Sequence, residues 1–461
     1  MVFQLPGVKF DLELIKKYDT PTPRYTSYPP ATELTESFNH EDFRNAIATT
    51  TNQYQTPLSL YFHIPFCQSA CYYCGCNIIV SGNKNIAIPY VEYLGREIQQ
   101  TAKLISSERP VVQIHWGGGT PNYLTQEQIK KIWQNIANNF NIHPNAEISI
   151  EVNPRYIDRD YLFFLRELGF NRISFGLQDF DPKVQVAINR IQPDEMLFNV
   201  MGWMREAEFK SINVDLIYGL PHQNLKSFQR TIQKTIELDP DRIAVFNFAY
   251  IPWVKAVQKN IDEDALTPPQ EKLEILQMTI EELTRNKYLF IGMDHFAKPE
   301  DELATAQNEG SLQRNFQGYT THGQAELLGF GVTSVSMLHQ VYAQNHKQLK
   351  DYYQAIDAGI LPTYKGYKLD AEDILRRDVV MGIMSGTRVD KQEIEQKYLI
   401  NFNQHFAREM RELQLLEADG LVKLSNQFIT ITEIGRLLVR NIAVIFDAHK
   451  LTRERKLSRA I

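Results

Sequence analysis

Cysteine is scarce in this chain: there are four in 461 residues, and all four fall at positions 67, 71, 74 and 76. That excludes a disulfide-stapled scaffold, whose bridges draw on cysteines spread along the sequence. Long apolar runs are missing as well. None approaches the ~20 residues a membrane-crossing helix needs, so no membrane partner is expected. The opening Met-Val-Phe-Gln-Leu-Pro-Gly-Val-Lys-Phe lacks the charged leader and long apolar stretch of a signal peptide, and a cytoplasmic location is expected. Positive charge does not dominate. Lys and Arg number 49 against 55 Asp and Glu, a net charge of −6, so there is no global basic field and nucleic acid is not an expected partner. An anionic small molecule remains compatible with this balance through a local basic pocket. There is no internal repeat and no low-complexity tract.

What is present is an ordinary globular composition, 43% hydrophobic and 23% charged, with room for two or three domains. The first fifty-odd residues read as irregular, because Pro21-Thr-Pro-Arg-Tyr-Thr-Ser-Tyr-Pro-Pro30 forbids a long helix. Residues 1–55 are therefore expected to form an N-terminal arm over the active site, with Arg24 available to a carboxylate. From residue 57 short β-branched or aromatic runs alternate with amphipathic stretches. The runs are 58–64, 111–116, 147–152, 172–175, 212–218, 242–248 and 288–291; helical patterns include 90–104, 125–140, 158–168 and 225–238. Alternation of this kind predicts βαβ units on a parallel sheet. With no nucleotide-binding glycine fingerprint, the expected fold class is α/β, a partial (β/α)6-type TIM-like barrel spanning 56–365.

Barrel chemistry sits at the carboxyl ends of the strands. The cysteine loop follows the first run and Gly117-Gly-Gly-Thr-Pro121 the second. Glu151 closes the third, Gln178 follows the fourth, Asp215 lies within the fifth and Asn247 near the end of the sixth. Beyond 365 the pattern turns helical. Helices at 371–385 and 391–415, a hairpin near 420–431 and a last helix at 433–447 suggest a small, mostly helical, winged-helix-like domain over 366–461. The tail from Arg453 to Ile461 reads as a solvated basic end.

Clustered cysteines of a reducing compartment are compatible with structural zinc, a redox dithiol or an iron–sulfur cluster. Structural zinc usually takes separated ligand pairs that cross-link distant segments, whereas these residues would tie down a single loop. The spacing Cys67-x3-Cys71-x2-Cys74 lets three thiolates converge on a [4Fe–4S] cubane and leaves its fourth iron open. S-adenosylmethionine can chelate such an open iron through its amino and carboxylate groups.

The run Tyr61-Phe-His-Ile-Pro-Phe-Cys67-Gln-Ser-Ala-Cys71-Tyr-Tyr-Cys74-Gly-Cys76-Asn resembles the cluster loop of radical S-adenosylmethionine proteins. With its fourth cysteine and following asparagine, it is similar to the oxygen-independent coproporphyrinogen III oxidase (dehydrogenase) family in particular. The resemblance continues through Pro23-Arg-Tyr-Thr-Ser-Tyr-Pro, His115-Trp-Gly-Gly-Gly-Thr-Pro, Ile148-Ser-Ile-Glu-Val-Asn-Pro and Gly176-Leu-Gln-Asp. It extends to Asn213-Val-Asp-Leu-Ile-Tyr-Gly-Leu-Pro, Gly292-Met-Asp-His-Phe-Ala and Asn315-Phe-Gln-Gly-Tyr-Thr, and so covers nearly the whole chain.

The resemblance implies that Cys67, Cys71 and Cys74 hold one cluster, with Cys76 left without an assigned role. It implies two S-adenosylmethionine molecules. Tyr61, Gly118, Glu151 and Val335 match the first site; Tyr73, Gly119, Thr120, Gln178, Arg190, Asp215 and Ala249 match the second. His63 and His115, near the barrel mouth, read first as satisfied structural histidines. The implied reaction is oxidative decarboxylation of two propionates of coproporphyrinogen III to the vinyl groups of protoporphyrinogen IX by a 5′-deoxyadenosyl radical, in haem and chlorophyll formation. The implied partners are that substrate and an electron donor such as a flavodoxin or ferredoxin, acting on a monomer. Arg24 is the expected propionate contact. The rival readings are a haem-trafficking protein of the same superfamily and an enzyme for another tetrapyrrole.

Overall fold

The computed structural model describes residues 10–53 and 56–450; the opening residues 1–9 and the tail expected to be a basic end lie outside them. The chain divides into two compact units. One comprises Met1–Glu33, Pro269–Gly323 and Leu369–Ile461, the other Leu34–Pro268 and Gln324–Lys368.

The second unit carries the βα repeat. Six strands lie side by side in chain order, all parallel: β1 (Leu58–Ile64), β2 (Pro110–Gly118), β3 (Asn141–Val152), β4 (Arg172–Gln178), β5 (Ser211–Tyr218) and β6 (Arg242–Asn247). Helices between them begin where the sequence places caps. Thr125 and Gln128 form a capping box before Gln126–Asn139, Asn224 and Ser227 another before Leu225–Leu238, and the Asp158 side chain accepts from Tyr161 N ahead of Arg159–Glu167.

Side chains alternate across these strands. Leu60, Phe62, Ile114, Trp116, Ile150 and Val214 are completely buried on one face. The other face is polar: Ser59, Tyr61 and His63 on β1, Gln113 and His115 on β2, Glu147, Ser149 and Glu151 on β3, Ser174 on β4, Asn213 and Asp215 on β5. Tyr61 stands beside His115 and His115 beside Ser149; Glu151 stands beside Ser174 and Ser174 beside Asn213. A parallel sheet covered on both faces runs apolar throughout. This one presents polar rows instead, suited to a ligand-lined interior.

Sequence reading missed the strands on the far side of β1. There β7 (Glu326–Phe330) runs parallel to β1, followed antiparallel by β8 (Val335–Met337), β9 (Val341–Asn345) and β10 (Thr363–Lys368). A buried Arg109–Glu326 ion pair of 2.7 Å anchors β7, and Arg109 also donates to Thr56 O and Oγ1. Helix His40–Gln53 packs on β10, so the amino-terminal fifty residues are less irregular than expected. The proline segment does stay irregular, as its fixed φ angles require.

In the first unit the segment expected as a seventh barrel strand, 288–291, is instead Leu289–Gly292 in an antiparallel hairpin with His295–Ala297. Tyr25 and Tyr28 pack into the carboxyl-terminal core with Val379, Ile383, Phe402, Phe406 and Phe446. The hairpin expected near 420–431 is present as Val422–Leu424 and Phe428–Ile431, joined by Arg388–Asp390 into a three-stranded sheet. The helix expected over 391–415 is three helices, Lys391–Tyr398, Phe402–His405 and Ala407–Ala418. Leu399 takes a left-handed φ of 53° that ends the first, and Asn401 caps the next. The last helix starts at Val439 rather than 433. Thr432 Oγ1 donates to Gly420 O and Leu421 O and accepts from Gly435 N, which ties the intervening residues into turns.

Candidate active site

The site is built at the carboxyl ends of β1 to β6. After Ile64 the chain enters a short strand, Phe66–Cys67, paired in parallel with Ile79–Val80, which closes the cysteine loop on itself. Gly119 N donates to Ile64 O at 2.8 Å, docking the glycine segment against the root of the loop. A Cβ on Gly119 would lie 2.8 Å from Pro65 backbone. Gly118 has φ +115°, and a Cβ there would meet the His63 ring at 2.7 Å. Both positions therefore need glycine for approach, one of them also for conformation.

The thiols differ in surroundings. Cys67 is buried and shares a 3.3 Å hydrogen bond with Thr120 Oγ1; burial, opposed by that bond, pushes its thiol up to about 11. Cys71 is buried beneath two guanidinium groups, Arg190 Nη1 at 3.6 Å and Arg155 Nη2 at 3.8 Å. Cys74 accepts from the Cys76 backbone N–H at 3.4 Å. The Cys76 side chain first, then that N–H and Lys255, overcome burial and bring Cys74 down to about 6. Cys67 feels the charges of both Cys71 and Cys74, so the three thiols face one region. Among the described residues no three His, Cys, Asp or Glu side chains converge on a single ion. A cubane, which holds its thiolates apart at separate iron vertices, suits this donor set better than mononuclear zinc. The cationic donors suit a cluster ligated by thiolates.

Above the loop, Tyr61 stacks on His115 with centroids 5.9 Å apart and shares a 3.1 Å hydrogen bond with His63 Nδ1. His115 bridges Ser149 Oγ, 2.6 Å, and Glu151 Oε1, 3.3 Å. Glu151 also accepts from Gly118 N at 3.3 Å. Against the raising effect of burial, these bonds and the nearby histidines hold its carboxyl below the usual range. Asp215 behaves oppositely: burial, then the charge of Glu151, push it up to about 7, although Asn213 Nδ2 donates to it at 2.8 Å. The two carboxylates are thus tuned apart, Glu151 ionised and Asp215 poised near neutrality. His63 and His115 have full hydrogen-bonding partners, as structural histidines do, yet both stand inside the site.

Gln178 leaves β4 with φ +69° and donates to Tyr73 OH at 2.7 Å. Buried Arg190 reaches Gly176 O, 2.7 Å, and Gln192 Oε1, 3.1 Å, besides Cys71. Ala249, just past β6, is exposed and linked to Tyr73 by Gln258, whose Nε2 donates to Tyr73 O, 3.1 Å, and Ala249 O, 3.2 Å. Val335 sits against Gly329, the residue beside Tyr61 in register; a Cβ on Gly329 would lie 2.7 Å from Val335 O. Arg24 belongs to the other unit, where its guanidinium is paired with Asp294; it is not the free cation the sequence suggested.

Sequence reading missed Arg155, Gln258 and Lys255. Arg155 directly follows the Val-Asn-Pro motif and was within reach of a motif-based reading. Gln258 and Lys255 lie in a loop with no pattern of their own.

Comparison with known proteins decides the family. The chain is 54% identical to the oxygen-independent coproporphyrinogen III oxidase of Synechocystis sp. (strain ATCC 27184 / PCC 6803 / Kazusa), over 100% of both chains. The chain belongs to the oxygen-independent coproporphyrinogen III oxidase family. The Escherichia coli (strain K12) member is 47% identical over 96% of each chain. A solved structure described as coproporphyrinogen III oxidase (HemN) from Escherichia coli, a radical SAM enzyme, superposes with a TM-score of 0.92, covering 96% of this chain and all of that one. Residues 61–235 match the radical SAM superfamily and residues 369–438 the HemN C-terminal domain. Membership makes the chain a radical S-adenosylmethionine oxidoreductase with a [4Fe–4S] cluster and S-adenosylmethionine, and the α/β fold expected from the sequence is that of the family. No described helix is long and apolar enough to cross a membrane.

Proposed function

We propose that this chain removes two propionate carboxyl groups from coproporphyrinogen III without oxygen, forming the two vinyl groups of protoporphyrinogen IX. The observation that carries the reading is the cysteine loop with Cys71 beneath Arg190 and Arg155, set in a chain that matches its relatives end to end.

Cys67, Cys71 and Cys74 would hold the cluster, and the polar interior would take two S-adenosylmethionine molecules. Bound there, cluster and cofactor would supply the radical chemistry that converts a propionate side chain to a vinyl group, with CO2 released and one electron passed to an acceptor. Gly118 and Gly119 admit the cofactor's methionine end. Glu151, held ionised, accepts from its ammonium or ribose hydroxyls, with Tyr61 and Val335 flanking. Tyr73 offers a ring face to adenine, fixed through Gln178 and Gln258. Thr120, Gln178, Arg190, Asp215 and Ala249 complete the second set. Asp215, near neutrality, either donates or accepts at a ribose hydroxyl. Arg190 and Arg155 offset negative charge at the Cys71 thiolate. Residues 56–365 act as the catalytic domain of a cytoplasmic monomer, served by a small electron-transfer protein.

The test uses protein purified anaerobically, reconstituted with iron and sulfide, and supplied with dithionite, S-adenosylmethionine, coproporphyrinogen III and an electron acceptor. Protoporphyrinogen IX with one 5′-deoxyadenosine per carboxyl removed is expected, and Cys71→Ala abolishes both. Cofactor cleavage with coproporphyrinogen untouched overturns the substrate assignment. Tight haem binding without turnover points to trafficking.

A further inference from the structure

Acidic residues are missing from two stretches of the second unit. None occurs between Asp42 and Glu92, which takes in the whole cysteine loop, or between Glu326 and Asp351, although the chain as a whole carries −6. The fold joins the two stretches. Asn77 Nδ2 donates to Lys347 O at 3.5 Å. Helices Ala87–Ala102 and Leu349–Asp357 run side by side in one direction: Tyr90 faces Tyr352, with centroids 5.9 Å apart, and Arg96 Nη1 meets Asp357 Oδ1 at 2.7 Å. Their amino ends therefore lie together. Lys84, Lys347 and Lys350 are exposed toward that end, and so are two aliphatic side chains, Val80 at 47% and Ile88 at 52%. Asp351, beside Lys350, offsets part of this positive charge.

This face borders the cysteine loop. Val80 stands in register beside Cys67 in the short parallel ladder, one strand spacing of ~5 Å away. Ser81 N donates to Cys67 O at 2.9 Å, so a hydrogen bond links the surface backbone to a cysteine proposed to hold the cluster. The turn that follows is held in place. Tyr123 OH reaches Ser81 O at 3.1 Å and Asn83 O at 2.9 Å, and Lys84 Nζ lies over the Tyr123 ring, 5.8 Å from its centroid.

We propose that the face around Val80 and Ile88, with Lys84, Lys347 and Lys350, docks an acidic, flavin-bearing carrier protein that reduces the cluster. The step is a one-electron transfer: the reduced flavin loses one electron, the cluster gains it, and no bond forms or breaks. Exposed lysines steer an acidic partner and set its orientation. The aliphatic pair suits the apolar dimethylbenzene edge of a flavin, in the way that a dry centre and a polar rim make up a protein interface. This rests on the function proposed above, which calls for a small electron-transfer protein and leaves its seat open.

The test uses reconstituted holoenzyme under anaerobic conditions, with purified flavodoxin as the probe and a [2Fe–2S] ferredoxin beside it. Association is followed by surface plasmon resonance at several salt concentrations, and cluster reduction by stopped-flow absorbance with the carrier reduced beforehand. The triple variant Lys84→Glu, Lys347→Glu, Lys350→Glu is expected to slow flavodoxin association and carrier-driven cluster reduction ~10–100-fold at low salt, the gap closing as salt rises. Val80→Asp, which sets a charge in the apolar centre, should speed dissociation. Iron content, thermal midpoint and dithionite-driven cleavage of S-adenosylmethionine should stay near wild type in the triple variant, which carries the test alone should Val80→Asp lose its iron. Wild-type association and reduction rates in a folded triple variant overturn the proposal while leaving the function standing. Lysine-dependent reduction by ferredoxin but not by flavodoxin overturns the choice of a flavin carrier, and a wild-type cluster that flavodoxin does not reduce overturns it too. A wild type that flavodoxin binds and reduces, but that leaves coproporphyrinogen III untouched, overturns the proposed function and keeps the docking face.

Discussion

Gln258 gives the sharpest test of how the site is held together. Its side chain is almost fully buried, and it connects three backbone groups that no secondary structure joins. Nε2 donates to Tyr73 O and Ala249 O, while Oε1 accepts from Ile251 N at 2.6 Å. Gln258→Ala removes all three bonds and strands two carbonyls and an amide. At ~0.5–1.5 kcal/mol net for each bond, and with water re-satisfying part of the set, the loss is about 2–3 kcal/mol. The tie runs between the cysteine loop and the segment after β6, so the cost falls on the order of Tyr73 and Ala249. At about 1.4 kcal/mol per tenfold, S-adenosylmethionine affinity should drop ~10–100-fold. Iron content should persist, because no cysteine ligand is touched. Gln258→Glu keeps the acceptor for Ile251 but turns an oxygen toward both carbonyls, and should be at least as damaging. The assays are equilibrium binding of S-adenosylmethionine to reconstituted protein and the thermal midpoint of the same preparations. Gln258→Ala with cofactor affinity within twofold of wild type and an unchanged midpoint would refute the reasoning.

Gly118→Ala places a Cβ at φ +115° and 2.7 Å from the His63 ring, so a cost of ~2–4 kcal/mol and loss of S-adenosylmethionine binding are expected, read by urea unfolding and by titration. Asp215 keeps its proton up to about pH 7 in the fold, whereas its ordinary value is 3.8. A carboxyl raised in this way lowers apoprotein stability progressively as pH climbs from about 4 to about 7. Asp215→Asn should flatten that part of the stability profile and raise the thermal midpoint at pH 8; a profile identical to wild type would contradict the assignment. Arg109→Ala should cost ~3–5 kcal/mol, because Glu326 is left buried and unpaired beside β1. Chemical denaturation reads that loss, and a midpoint unchanged from wild type would show that the pair contributes little.

Much of the site was legible because its chemistry is written locally. The three cysteines proposed as ligands sit within one loop, the glycines follow one strand, and Glu151 closes another; strand and helix periods then place these segments at one end of a βα wall. Caps are local as well: Thr125, Asp158 and Asn224 each accept from a backbone N–H in the first turn of the helix they precede. Failures came where long-range contacts overrule local pattern. β7 to β10 are short; β7 finds β1 only across a large sequence separation, Leu58 lying beside Glu326, and β8 to β10 then follow it as nearby antiparallel neighbours. The segment at Leu289–Gly292 has a strand pattern, but turns back on itself at residues 293–294 instead of joining a parallel neighbour. The helical pattern over 391–415 gives no warning of the left-handed Leu399.

The sequence by itself determined the family and the parallel βα order and marked out the three cysteines proposed to hold the cluster, because spacing within a loop and period along a strand survive without tertiary contacts. Only the tertiary structure decided which polar groups meet. It set two guanidiniums over Cys71, shifted the Glu151 and Asp215 carboxyls in opposite directions, made Gln258 a tie between distant loops, and paired Arg24 with Asp294. Each of those outcomes depends on burial and on partners tens to hundreds of residues away, which no local pattern records.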